Sequence, residues 1–167
     1  MTVLCLLCAV PACSAHWERF VSPECGFSIL MPGTPRTTGA NLETSHGTLV
    51  FVWYVGTLGA NPLRSQLATA NPGAGCAVVP EGVDADSILQ EFESAVPKER
   101  DRVLGHRQVM VGEHAGLEIE RESGDVVFID RAFAHDGKVF WIHSQKEGNA
   151  LFAGRHLKFL DSFSIAE

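Results

Sequence analysis

The sequence predicts an α+β domain: an α/β/α sandwich on a central antiparallel sheet of about six or seven strands, with flanking helices over 84–96 and 149–163. Three observations carry that prediction. Phe27-Ser28-Ile29-Leu30-Met31-Pro32-Gly33-Thr34-Pro35 is a short apolar run closed at both ends by turn residues. It is too short for a helix and fits a strand buried on both faces. From Val103 onward the pattern has period two and ends in an Asp136-Gly137 hairpin dipeptide. Two segments, one before Pro97 and one at the carboxyl end, place apolar residues at helical spacing.

Taken in order, Trp17 to Val21 reads as a short strand, and the run from Phe27 as the sheet's interior. Thr37–Glu43 and Thr48–Val55 follow as two strands joined through Thr44-Ser45-His46-Gly47. Leu49 to Val55 is continuously apolar, β-branched or aromatic, as expected of a central strand. Residues 56–83 carry dense Gly and Asn-Pro punctuation and read as a long loop, with a short helix capped by Asn61-Pro62 and ended by Asn71-Pro72-Gly73. Asp84 or Asp86 caps a helix to about Val96, in which Ile88, Leu89, Phe92, Ala95 and Val96 share the core face. Pro97 ends it, and Lys98 to Arg102 is a connector of mixed charge.

Val103–Gly112, Leu117–Ser123, Val126–His135 and Lys138–Lys146 then read as four antiparallel strands. A two-residue turn at Asp136-Gly137 sets Ala134 opposite Val139, Ala132 opposite Trp141, and Asp130 opposite His143. Asn149 caps a last helix to about Phe163, with Phe152, His156, Phe159, Leu160 and Phe163 on one face.

The length of 167 residues fits one domain, and 46% hydrophobic with 20% charged residues is a globular composition. A net charge of −7 without a basic cluster argues against nucleic acid as a partner. Residues 1–15 carry no charge, and an apolar core followed by small residues reads as a signal-like segment. Val10-Pro11-Ala12-Cys13 has the form of a lipoprotein box, making Cys13 a lipidation candidate and a membrane tether. Cutting before His16 is the alternative. Cys5 and Cys8 read as signal core, with nothing basic nearby to activate a thiol. Cys25 and Cys76 are a disulfide candidate in an exported body, but spacing alone does not show that they come within reach, and two free buried thiols are the favoured alternative.

Phe20-Val21-Ser22-Pro23-Glu24-Cys25-Gly26 through Pro35 resembles the "F-x-S-P-E-G-G-F-S-V-L-M-P-G-T-P" opening of a group of bacterial exported proteins. Phe159-Leu160-Asp161-Ser162-Phe163 resembles that group's closing "F-L-D-S-F", and His114-Ala115-Gly116-Leu117-Glu118 its "x-P-G-x-E" strand start. The group is similar to the PsbP-like superfamily, which includes photosystem II extrinsic proteins, a Ran-binding nuclear transport factor and bacterial lipoproteins. The resemblance implies an α/β/α sandwich spanning 16–167 as a single PsbP-like domain, and its shared motifs are structural. Cys25 stands where the group has Gly.

Asp130 and His143 are the one polar pair with chemical potential, as a carboxylate-oriented imidazole. A cross-strand ion pair on a partly exposed face is the first reading. His106 and His114, eight residues apart, are too distant to share a metal, and His156 reads as a core-edge histidine bonded to backbone. Trp53, Trp141 and Phe140 either line an apolar pocket or belong to the core. No H-E-x-x-H, P-loop, G-x-G-x-x-G or G-x-S-x-G occurs, so no cofactor or metal is implied. The expectation is an exported, periplasmic or envelope-associated, non-enzymatic binding or scaffold domain for an unknown protein partner or small ligand. The alternatives are a small metal-dependent or hydrolytic enzyme using Asp130 and His143, and a carrier of a small hydrophobic ligand.

Overall fold

The computed structural model describes residues 16–56, 71–146 and 155–166. Its elements run β1 (Trp17–Ser22), β2 (Phe27–Pro32), β3 (Arg36–Thr44), β4 (Gly47–Val55), β5 (Gly73–Val78) and α1 (Ala85–Ala95). β6 (Arg102–Val111), β7 (His114–Ser123), β8 (Val126–His135), β9 (Lys138–Gln145), α2 (His156–Leu160) and β10 (Ser164–Ile165) complete it. Seven strands form one antiparallel sheet in the order β3-β4-β5-β9-β8-β7-β6, and β1-β2-β10 form a second, smaller one.

The topology follows from local chemistry. After β5 the chain crosses one face as α1 and reaches the far edge at β6. Tight turns then bring β7, β8 and β9 back until β9 pairs with β5. The Asp136-Gly137 turn has positive φ at both residues (49° and 67°), and the register Ala134↔Val139, Ala132↔Trp141, Asp130↔His143 agrees with the sequence reading. Asp84 caps α1, its carboxylate accepting from the Asp86 backbone N–H, and Ile88 and Phe92 are wholly buried beneath the helix.

Four expectations are corrected. The sheet is covered on both faces, but not by two helix layers: α1 covers one, while the three-stranded sheet together with the short α2 covers the other. The run from Phe27 buries one face, with Phe27, Ile29 and Met31 at 0% exposure while Ser28 and Leu30 on the other face are only half-buried, and it is the middle strand of the small sheet with no place in the large one. An apolar run specifies burial, and burial against another sheet looks the same in sequence as burial inside one. Residues 73–78, read as loop, form β5 at the interior of the large sheet. Within the described residues the last helix spans only His156–Leu160. Phe163 lies beyond it, and Ser164–Ile165 pair with Ser28 and Phe27. The expected Asn149 cap, the Asn61-Pro62 helix, Cys5, Cys8 and Cys13 lie outside the described residues.

The core has two parts, one on each face of the large sheet. Between the sheets lie Phe27, Ile29, Met31, Phe133, Phe140 and Phe159 with their neighbours. Beneath α1 lie Leu42, Phe51, Trp53, Ile88, Phe92 and Ile119, with Trp141 packed against them.

Candidate functional site

Alternation along β7, β8 and β9 sends one residue set to the α1 face. Arg121 on β7, Phe128 and Asp130 on β8, and Trp141 and His143 on β9 all point there. Arg121, Phe128, Trp141 and His143 meet beside the carboxyl end of α1, in a cleft of about 380 Å³ lined also by Trp53, Val96 and Lys98, with Asp130 buried among them.

Asp130 is at 0% exposure and is the post of this arrangement. Its Oδ1 accepts from Trp141 Nε1–H and His143 Nδ1–H, and its Oδ2 from Arg121 Nε–H, each at 2.8 Å. An ionised carboxylate only accepts, so Nδ1 carries the proton of the His143 ring and fixes its tautomer. Burial alone would raise the Asp130 pKa. The contacts from His143, Arg121 and Trp141 outweigh it and hold the carboxyl below its ordinary value. Arg121 also donates from Nη1 to Asp101 Oδ2 at 2.7 Å, and Asp101 is further bonded by Ser123 and by the Lys98 backbone N–H.

The aromatic side of the cleft rests on glycine. Gly75 on β5 stands between Trp53 on β4 and Trp141 on β9, and the two indoles meet over it at 5.0 Å between ring centroids. A Cβ on Gly75 would lie 2.7 Å from Trp53 Cε3, and one on Gly73 would lie 2.6 Å from Trp53 Nε1. Phe51 and Phe92 approach Trp141 edge-on, each at 5.6 Å. Phe128 stacks on the His143 imidazole at 5.1 Å, and the Arg121 guanidinium lies over Phe128 at 4.7 Å.

Sequence reasoning placed Asp130 opposite His143 and left Trp53 and Trp141 as pocket or core; His143, Trp53 and Trp141 line the cleft, Asp130 is buried behind it, and the two indoles also pack into the core beneath α1. The Asp130–His143 pair bonds across the hairpin, with Asp130 fully buried and His143 keeping 13% of its side chain exposed. Phe140 points the other way, into the core between the sheets. Arg121 and Asp101 were missed: Arg121 lies on the same strand face as Ile119, but only the β7–β8 register shows that it reaches Asp130. Cys25 and Cys76 are bonded, with Cα atoms 5.7 Å apart, so the free-thiol reading does not hold in this structure.

The remaining histidines are dispersed. His106 pairs with Glu93 across to α1 at 2.6 Å. His114 lies past the β6–β7 turn, where its ring contacts His135 at 4.2 Å. His156 Nδ1 is buried and makes no hydrogen bond among the described residues, where a backbone bond was expected. Burial, reinforced by the Lys146 charge, lowers its pKa. Among the described residues no three His, Cys, Asp or Glu side chains converge as a metal site.

No family model and no curated protein matches the sequence. Among solved structures, the chain is similar to the solution structure of cyanobacterial PsbP (CyanoP) from Synechocystis sp. PCC 6803. The identity is 10% and the TM-score 0.50, with 96% of this chain and 98% of that chain covered. At that identity the likeness bears on architecture alone. The chain therefore has a PsbP-like fold, in a sheet-rich form with a small sheet packed on the face opposite α1.

Proposed function

We propose that this protein is an exported, non-enzymatic binding domain whose ligand site is the cleft beside α1. One observation carries the reading: the Asp130 carboxylate is spent on three fixed donors, so it orients Trp141, His143 and Arg121 and is not itself poised to take a proton. A hydrolytic use of His143 would need a nucleophile in hydrogen-bond reach. The hydroxyl among the described lining residues is Ser123, which bonds Asp101. The register puts Ser123 two strands across and four residues along from His143, with Cα atoms about 16 Å apart by strand geometry. The cleft is within the size of small-molecule sites, about 300–1,000 Å³.

Export is supported by the signal-like residues 1–15 and by the Cys25–Cys76 bond, which persists in oxidising compartments. Intact mass of the natively expressed protein from the envelope fraction tests the compartment. The expected chain begins at His16 or at a lipidated Cys13, and lacks two hydrogens at Cys25 and Cys76. A cytoplasmic chain still beginning at Met1, with both thiols open to alkylation, would overturn the export reading.

A further inference from the structure

Resting on the cleft as a binding site, we infer that its ligand is a planar aromatic carboxylic acid, its ring system lying against the Trp53–Trp141 pair and its carboxylate meeting Arg121 and Lys98. The shape comes from the indole pair seated over Gly75, with Phe128 and His143 as a second stacked pair along the wall. Flat rings gain offset-stacked and edge contacts with such walls that aliphatic chains do not.

The polarity follows from which groups still have valence to offer. Both Asp130 oxygens are occupied by Arg121, Trp141 and His143. Asp101 is likewise engaged by Arg121, Ser123 and the Lys98 backbone N–H. Both carboxylates at the cleft are thus engaged. Its donors are not all engaged: Arg121 uses Nε and Nη1, while Nη2 makes no hydrogen bond within the described residues. Lys98 is exposed on the rim, and no ion pair of its ammonium forms among the described residues. A cationic ligand would meet two cations and no unengaged carboxylate. A carboxylate would meet a guanidinium amino group and an ammonium, the pairing that charge-assisted hydrogen bonding favours.

The test is a titration of the full, disulfide-intact chain with 2-naphthoate, read by the indole N–H signals in proton–nitrogen NMR. The three tryptophans give an internal control, because Trp17 packs against Phe159 on the opposite face of the sheet. The expected result is a saturable shift of the Trp53 and Trp141 signals with Trp17 unmoved. Binding should be about tenfold weaker for 2-naphthalenemethanol and for cyclohexanecarboxylate. Lys98→Ala, an exposed position that leaves the core untouched, should weaken naphthoate about threefold and leave the alcohol unchanged. Equal or tighter binding of the alcohol or of naphthylmethylammonium overturns the acid assignment, and no shift of Trp53 or Trp141 at about millimolar probe overturns the site. Export is judged by mass and fractionation, so failure there and failure here are read separately.

Discussion

At Asp130 the cost of taking a carboxylate out of water is met by three hydrogen bonds, one of them from a guanidinium, and removing that charge exposes the cost on the other side. Asp130→Asn keeps the shape, but its amide N–H₂ must face Arg121 Nε–H if its oxygen serves Trp141 and His143. Breaking a buried pair in this way costs about 3–5 kcal/mol, which urea unfolding at pH 7 should report. The pH dependence has a defined sign. The folded pKa of Asp130 lies below the unfolded value of 3.8, so in the window between them the unfolded chain binds more protons. The stabilisation is full above that unfolded value and is lost as pH falls through the folded one. The stability difference between wild type and Asp130→Asn should therefore hold from pH 7 to about 5 and shrink below about 4. Glu118, also held low against burial by Arg107 and Arg131, is common to both proteins and cancels in the difference. A difference constant down to pH 2 would show that Asp130 is not ionised in the native state.

Among the elements, β5 is the one whose sequence conceals it. Gly73-Ala74-Gly75-Cys76 has almost no strand propensity, yet it pairs with β4 on one side and β9 on the other. Its glycines mark where the Trp53 indole lies against backbone. Gly75→Ala would press a methyl onto Val52 O and Trp53 Cε3, an overpacking worth about 1–3 kcal/mol. Thermal unfolding should fall by several degrees, about 2–4 °C per kcal/mol at this chain length, and the Trp53 and Trp141 indole signals should move without ligand. An unchanged melting temperature would mean that the indoles do not sit over β5. What was legible in the sequence was local: the Asp136-Gly137 register, the Asp84 cap with Ile88 and Phe92 beneath it, and the meander from β6 to β9. What was not legible depends on partners far along the chain. Nothing in Phe27–Pro32 says that it pairs with Ser164–Ile165 and not with a strand of the large sheet. The Asp130–His143 pair could be read from one turn, whereas Arg121 and Asp101 needed the next strand and the loop before β6.

For the molecule as a whole, the question is what holds together two sheets that share no hydrogen-bond ladder among the described residues. Aromatic packing does part of it: Phe27 touches Phe163, Phe140 and Tyr54, with ring centroids 5.3, 6.4 and 6.0 Å away. The covalent part is Cys25–Cys76, which ties the turn before β2 to β5 in the large sheet. Closing a loop of sequence separation 51 stabilises the fold by about 4 kcal/mol in the chain-entropy account. The double variant Cys25→Ser/Cys76→Ser should lose most of that in urea unfolding. The loss should also be uneven across the fold. β7, β8 and β9 are each paired on both sides within the large sheet, whereas among the described residues β1 has only β2 as a neighbour and β2 is flanked by β1 and the two-residue β10. Native-state hydrogen exchange should accordingly show the β1 and β2 amides of the variant opening first, while those of β8 and β9 open only with global unfolding. Uniform loss of protection would instead mean that the two sheets unfold as one unit and that the bond acts only on the unfolded chain. Retained protection in β1 and β2 with an unchanged midpoint would mean that the phenylalanine cluster alone secures the small sheet.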